Sequence, residues 1–281
     1  MLCPTMSTAK LSVHDSGEPK TPAIIFLNGF LTNHSMWTAV IAHLGDAARC
    51  ITYDLRGFGE NQAGDPVVSV EGHTSDLMSV VDQCGVERPL LCGHSLGGLV
   101  ALRAAARDRE RFAGLVVCGA HAKSPSDDER LQWAGWMTRA DGLGPARFAN
   151  QYLETALSQD TIDQPDSPFD RLVDEAAAQS IIASKAALLA MMARVDALAP
   201  LERQPVPLLI TGGAEDRFTP PEALLRMGLG IEGAQFVRVP HAGHLAPVDN
   251  PEFFANALLR FLQSEPVTTR LPQIPRSRKK R

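Results

Sequence analysis

The sequence predicts an α/β fold, a mostly parallel central sheet flanked by helices and carrying a helical insertion. Two observations predict it. Short runs rich in β-branched and aliphatic residues alternate with helical patterns from about residue 10 to 121 and again from 204 to 264, which is how a parallel sheet with crossover helices is written. Between 122 and 203 the alternation stops, and helical patterns follow one another without a strand between them. In order, the expected strands are Lys10–His14, Ala23–Leu27, Arg49–Tyr53, Pro89–Cys92, Gly114–Cys118, Pro207–Thr211 and Gln235–Val239. The expected helices outside the insertion are Met36–Leu44, Glu71–Cys84, Leu96–Arg107, Pro221–Gly228 and Pro251–Leu262. Inside it, Asp127–Arg139 and Pro145–Ser158 read as helices, Gln159–Ser167 as a loop, and Phe169–Leu198 as one long helix or two broken ones. About 80 residues exceed any single crossover, so this stretch reads as a cap over the sheet edge. The expected division is therefore 1–121 and 204–264 for the core, 122–203 for the cap and 265–281 for a basic tail.

Composition narrows the classes. The chain has 281 residues, 44% of them hydrophobic, enough for one sizeable core. It has no apolar run long enough to cross a bilayer and no basic-then-apolar leader near Met1. Five scattered cysteines, Cys3, Cys50, Cys84, Cys92 and Cys118, suit buried thiols in a reducing compartment better than a disulfide framework. A cytoplasmic location is the expectation. No Cys/His group has zinc-ligand spacing, so no metal site is read. Net charge is −5, but Val267–Arg281 holds six basic residues and no acid, leaving −11 for the rest. Such a body is a poor nucleic-acid binder. The tail, with two prolines, like charges and no apolar period, reads as solvated and disordered.

The chemistry is concentrated in Gly93-His94-Ser95-Leu96-Gly97-Gly98. This G-x-S-x-G run lies between an apolar strand and a helix-favouring segment, the context of a nucleophile elbow. The small residues two before and two after Ser95 allow the strained turn, and the hydroxyl emerges at a helix N-terminus. A serine hydroxyl needs a base, oriented in turn by a carboxylate. The late run Val239-Pro240-His241-Ala242-Gly243-His244 offers His244, on a turn after Gly243, with His241 as a structural neighbour nearer the strand. The run Gly212-Gly213-Ala214-Glu215-Asp216 follows a strand at the carboxyl edge of the sheet, where catalytic groups of open sheets belong. Asp216 is the expected acid and Glu215 its competitor. Asp249 reads as a cap of the last helix or its preceding turn. An oxyanion needs two backbone donors, the N–H of Leu96 and one from the loop Asn28-Gly29-Phe30, for which Phe30 is the candidate.

Five motifs in order, Asn28-Gly29-Phe30, Tyr53-Asp54-Leu55-Arg56-Gly57-Phe58-Gly59, Gly93–Gly98, Gly213–Asp216 and His241–His244, make the chain resemble the α/β-hydrolases of the small, capped kind over about Leu11 to Leu262. The resemblance implies the α/β-hydrolase fold, a Ser95–Asp216–His244 triad and no cofactor. Many members of the family carry His-Gly where this chain has Asn28-Gly29, and an asparagine can still hold that loop by hydrogen bonds. The Asp54–Arg56 turn resembles a structural motif. Within the superfamily the chain is most similar to 3-oxoadipate enol-lactonases, small carboxylesterases and cofactor-free haloperoxidase-like enzymes. Asn28 and the Ser35-Met36-Trp37 run resemble the first of these. Haloalkane dehalogenases and epoxide hydrolases carry aspartate at the position of Ser95, and proline iminopeptidases follow it with tryptophan, where this chain has Leu96.

The expected activity is hydrolysis of a small carboxylic ester or lactone through an acyl-enzyme, with a small-molecule substrate, no nucleic-acid partner and no membrane span. Two other readings use the same fold: cleavage of a C–C bond or an elimination without an acyl-enzyme, and a non-enzymatic receptor. The insertion is rich in Trp133, Trp136, Phe148, Tyr152 and Met191, which predicts an apolar roof. Arg130, Arg139 and Arg147 are the cations that would select a carboxylate if turned inward, and as surface residues they need no such role.

Overall fold

The computed structural model describes residues 11–16, 22–62 and 65–272. Among them, seven strands form one sheet: β1 (Val13–Ser16), β2 (Ala23–Leu27), β3 (Arg49–Tyr53), β4 (Leu90–His94), β5 (Gly114–Cys118), β6 (Leu208–Gly213) and β7 (Gln235–Val239). Their order is β1-β3-β2-β4-β5-β6-β7. Only the β1–β3 pair is antiparallel. The helices of the first core segment are α1 (Thr38–Leu44), α2 (Val70–Cys84) and α3 (Leu96–Arg107). Between β5 and β6 lie α4 (Asp127–Leu143), α5 (Pro145–Ala156), α6 (Gln159–Ile162), α7 (Phe169–Ala177), α8 (Ile181–Met192) and α9 (Leu198–Arg203). The chain closes with α10 (Pro221–Leu229), α11 (Ala246–Asp249), α12 (Pro251–Leu262) and α13 (Glu265–Thr268).

The central strands β4 and β5, Leu90–His94 and Gly114–Cys118, are buried at every residue, as expected for parallel strands covered by helices on both faces. The edge strand β1 is mostly exposed. Prolines set two strand starts. Pro89 and Pro207 have no N–H for the ladder, so β4 and β6 begin one residue later than the apolar runs suggest. Each proline still accepts through its carbonyl, from Ala113 and Leu115 respectively. All parallel strands point their carboxyl ends to one edge. The connections from β2 lead to β3 on one side while β4 pairs on the other, so the order reverses between β2 and β4 and opens a crevice there.

Several boundaries differ from the sequence reading. Lys10 lies outside the described residues, and the first strand runs Val13–Ser16. His34–Trp37 is a 3-10 turn leading into α1. The stretch Gln159–Ser167 begins with the helical turn α6, because Ser158 caps it through Thr161 N. The stretch Phe169–Leu198 is two helices, broken before Ser180, whose hydroxyl caps α8.

The disordered-tail expectation over 265–281 is corrected at its start. Residues 265–268 form α13, Val267 is fully buried, and Arg270 donates to the carbonyls of Arg109 and Phe112. One apolar residue and one well-directed cation are enough to dock a short segment where a periodicity search finds nothing. Residues 273–281, with the basic cluster from Arg276 to Arg281, lie outside the described residues. Docking of this kind has a measurable cost when broken. Val267→Ala should destabilise the fold by about 1–3 kcal/mol, lowering Tm by roughly 3–8 °C in a thermal melt; an unchanged Tm would show that the segment does not pack in solution.

Candidate active site

The turn after β4 carries Ser95 in a conformation L-residues avoid, φ 48° and ψ −114°. Such strain persists only where the surroundings over-determine it. Here the Ser95 N–H donates to Cys118 O of the adjacent strand at 2.8 Å, and Ser95 O begins the α3 ladder by accepting from Leu99 N at 2.9 Å. Close packing requires glycine on both sides. A Cβ at Gly97 would stand 2.5 Å from Leu27 O, and one at Gly93 would stand 2.4 Å from Gly97 O.

The loop after β2 runs past this turn. Asn28 holds it from within: its Nδ2 donates to Gly29 O at 3.1 Å and Thr32 O at 2.7 Å, and its Oδ1 accepts from Leu55 N at 2.8 Å. Asn28 thus fills the stabilising role the sequence allowed it. Gly29 lies so close to the elbow that a Cβ there would be 3.3 Å from Ser95 Cβ. Among the described residues, neither the Phe30 N–H nor the Leu96 N–H donates to a protein acceptor. Leu96 N–H opens α3, where an unused donor is expected. The Phe30 ring is buried edge-on against Phe58, Phe148 and Tyr152.

After β6, Asp216 turns inward and Glu215 outward to solvent. The Asp216 side chain is fully buried. Its Oδ1 accepts from the Phe218 and Thr219 amides, each at 2.8 Å, and its Oδ2 meets His244 Nδ1 at 2.8 Å. Burial opposes its ionisation. The charge of His244 and the hydrogen bonds from His244, Thr219 and Phe218 outweigh burial and hold the carboxyl below its ordinary value. A carboxylate can only accept, so His244 Nδ1 carries the proton of this bond, and Nε2 is the ring nitrogen turned away from it. Nε2 is buried and has no partner among the described residues. His244 packs on Gly119, next to Cys118, whose carbonyl holds Ser95 N. Ser95 and the His244 ring are thus both anchored beside the turn after β5, and among the described residues no hydrogen bond joins Ser95 Oγ to His244 Nε2. His241 points away, exposed, with Asp160 at 3.2 Å.

Three features here escaped the sequence reading. His94, beside the nucleophile, is wholly buried, and its Nε2 donates to His244 O at 2.8 Å. Burial, with the neighbouring His244 adding to it, pushes His94 down to about 3, so its ring is neutral. Of the two roles read for Asp249, the helix cap falls to Asn250, which accepts from Phe253 N, and the bond to the preceding turn is present. Asp249 holds Gly243 N and Ser158 N. The third is Arg194. Arg130, Arg139 and Arg147 are all exposed, and Arg139 stacks over the Trp136 ring. Arg194 is the buried cation of this segment. It donates to Glu129 Oε1 at 2.7 Å and to the carbonyls of Lys123 and Met191, while His121 reaches the same Glu129 oxygen at 2.8 Å. The glutamate is held low by His121, Ser126 and Arg194 against the effect of burial. Ser95, Trp133, Glu129 and Arg194 together line a cavity of about 20 Å³, room for a water molecule.

Comparison with known proteins follows the same lines. Residues 24–257 match the family model of the alpha/beta hydrolase family. The 3-oxoadipate enol-lactonase 1 of Acinetobacter baylyi is 28% identical over 256 residues, covering 90% of this chain and 93% of that protein. A 2-succinyl-6-hydroxy-2,4-cyclohexadiene-1-carboxylate synthase of Klebsiella pneumoniae is 27% identical over 264 residues, 89% of this chain and 97% of that one. The solved structure of a thermophilic esterase from Thermogutta terrifontis, with malate bound, superposes with a TM-score of 0.82 at 29% identity, covering 90% of this chain and 93% of that one. With most of its length matched by the family model, and with the sheet and crevice already described, this chain belongs to the alpha/beta hydrolase family.

Proposed function

We propose that this α/β-hydrolase cleaves a small carboxylic ester or lactone through an acyl-enzyme, with Ser95 as nucleophile, His244 as base and Asp216 as the acid that orients it. The observation that carries the reading is the desolvated 2.8 Å contact between His244 Nδ1 and Asp216 Oδ2. It leaves Nε2 as the one ring nitrogen able to take the Ser95 proton. The hydroxyl oxygen attacks the acyl carbon as its proton passes to His244. His244 returns that proton to the departing alcohol, or to the ring oxygen of a lactone. Water then repeats the sequence to release the acid. The tetrahedral oxygen would take the free N–H groups of Leu96 and Phe30. No metal or cofactor is part of this scheme. The enol-lactonase and esterase relatives support the substrate class.

The segment α4–α9 acts in this reading as a cap. Phe148 and Tyr152 of α5 and Trp133 and Trp136 of α4 stack with Phe30 and Phe218 into an aromatic wall. At the other end of the pocket Arg194 is neutralised by Glu129, so the site offers apolar surface rather than a free cation. In this reading the cap opens to admit substrate to Ser95 and closes over it. Cleavage of a C–C bond, or an elimination without an acyl-enzyme, is the second reading, and a relative named as a synthase rather than a hydrolase keeps it in view.

Ser95→Ala and His244→Ala should each reduce ester turnover by about 10³-fold or more and combine non-additively, with Asp216→Asn losing somewhat less. His241→Ala should retain activity, and its loss instead of that of His244→Ala would reassign the base. An acyl-enzyme trapped by rapid quench and found by mass spectrometry on Ser95 separates the first reading from elimination. Across nitrophenyl esters, kcat/KM for acetate or butyrate should exceed palmitate by about tenfold or more. A rise with chain length through palmitate would rule out the closed cap.

A further inference from the structure

The loop that carries His244 is held by more than Asp216. Asp249, on α11, accepts from Gly243 N through Oδ2 at 2.8 Å, one peptide before His244. The same carboxylate accepts from Ser158 N through Oδ1 at 3.1 Å and from Ser158 Oγ at 3.2 Å. Ser158 lies just beyond the C-terminus of α5. A second contact runs parallel to this one, Leu245 N donating to Ala156 O at 3.1 Å. Gly243 is wedged between the two bodies: a Cβ there would stand 2.6 Å from Ala156 O. The residues on either side of His244 are therefore fastened to the end of α5. That helix also carries Phe148 and Tyr152, and Tyr152 stacks on Phe218 at 5.2 Å, which in turn packs edge-on against the His244 ring at 5.1 Å.

We propose that Asp249 is a positioning residue for the base, a second carboxylate that fixes the His244 backbone and locks it to the α5 end of the helical segment. Asp216 sets the tautomer and orientation of the ring. Asp249 sets where the ring's backbone stands, by accepting from a loop amide on one side and the helical segment on the other. A carboxylate suits this role because it offers two oxygens to three donors from two separate segments. An amide in its place turns one oxygen into a donor and faces N–H with N–H. The proposal rests on the reading of Ser95 and His244 as nucleophile and base.

Its test is the second-order rate at which a fluorophosphonate labels Ser95, which needs no knowledge of the substrate, in wild type, His244→Ala, Asp249→Asn and Ser158→Ala, with Tm measured for each. The expected result is labelling slowed about tenfold or more in Asp249→Asn, since a displacement of about an ångström at the base costs up to about 10²-fold. A smaller slowing, about two- to threefold, is expected in Ser158→Ala, which loses only one of the three donors. In ester turnover the loss should fall on kcat with KM nearly unchanged, as a displaced base affects the reaction and not substrate docking. A folded Asp249→Asn that labels at the wild-type rate overturns the proposal even if its Tm drops, because that is what a merely structural role predicts. If Asp249→Asn does not fold, Ser158→Ala decides, and wild-type labelling there overturns the proposal. Labelling that is absent from wild type, or insensitive to His244→Ala, overturns the triad reading itself and the proposal with it.

Discussion

The positive φ of Ser95 is the constraint on which the rest of the site depends. A strand that ran straight into its helix would bury the serine hydroxyl in the sheet. The reversal at Ser95 lifts it above the carboxyl edge and lays the start of α3 against the end of β2. That approach leaves no space for side chains at Gly93 and Gly97. It also brings the Asn28–Phe30 loop beside the nucleophile. The strain of a serine held at positive φ, about 1–3 kcal/mol, is offset by its bonds to Cys118 O and Leu99 N and by burial of the β4–α3 junction.

The second constraint is desolvation. Asp216 and His244 side chains are almost wholly removed from water. A carboxylate so placed is tolerable only because every oxygen has a donor: two backbone amides on one, the imidazole on the other. His244 Nε2, on the far side of the ring, has no partner among the described residues.

The helical segment is bound to this centre by polar bonds at two places and by aromatic stacking between them. Glu129 and Arg194 tie α4 and the end of α8 to His121 after β5. Ser158, through Asp249, ties the end of α5 to the base loop. Both are multi-partner contacts of partly buried charges, which lose far more when one partner is removed than they contribute net. They favour one defined position of the helices over the crevice, with apolar rings filling the interior between them.

Much of this was legible in the sequence because it is local. The elbow is a five-residue pattern between an apolar run and a helix, and β2, β3, β5, β7, α3 and α12 fall on the residues that periodicity assigns. Asp216, His244 and the Asn28–Phe30 loop are each found by position after a strand, since parallel strands deliver their ends to a common edge. What sequence could not show is contact between residues distant along the chain. Asp249 reads locally as a helix cap, and only the fold sets Ser158, 91 residues away, against it. His94 is hidden in the elbow motif until the base loop folds over it. Arg194 is one cation among many until burial distinguishes it from Arg130, Arg139 and Arg147. Val267 stands alone without a period to announce it. Propensity and spacing act through neighbouring bonds and so were set by the sequence alone; burial and partnership depend on which distant surfaces meet, and these the tertiary structure decided.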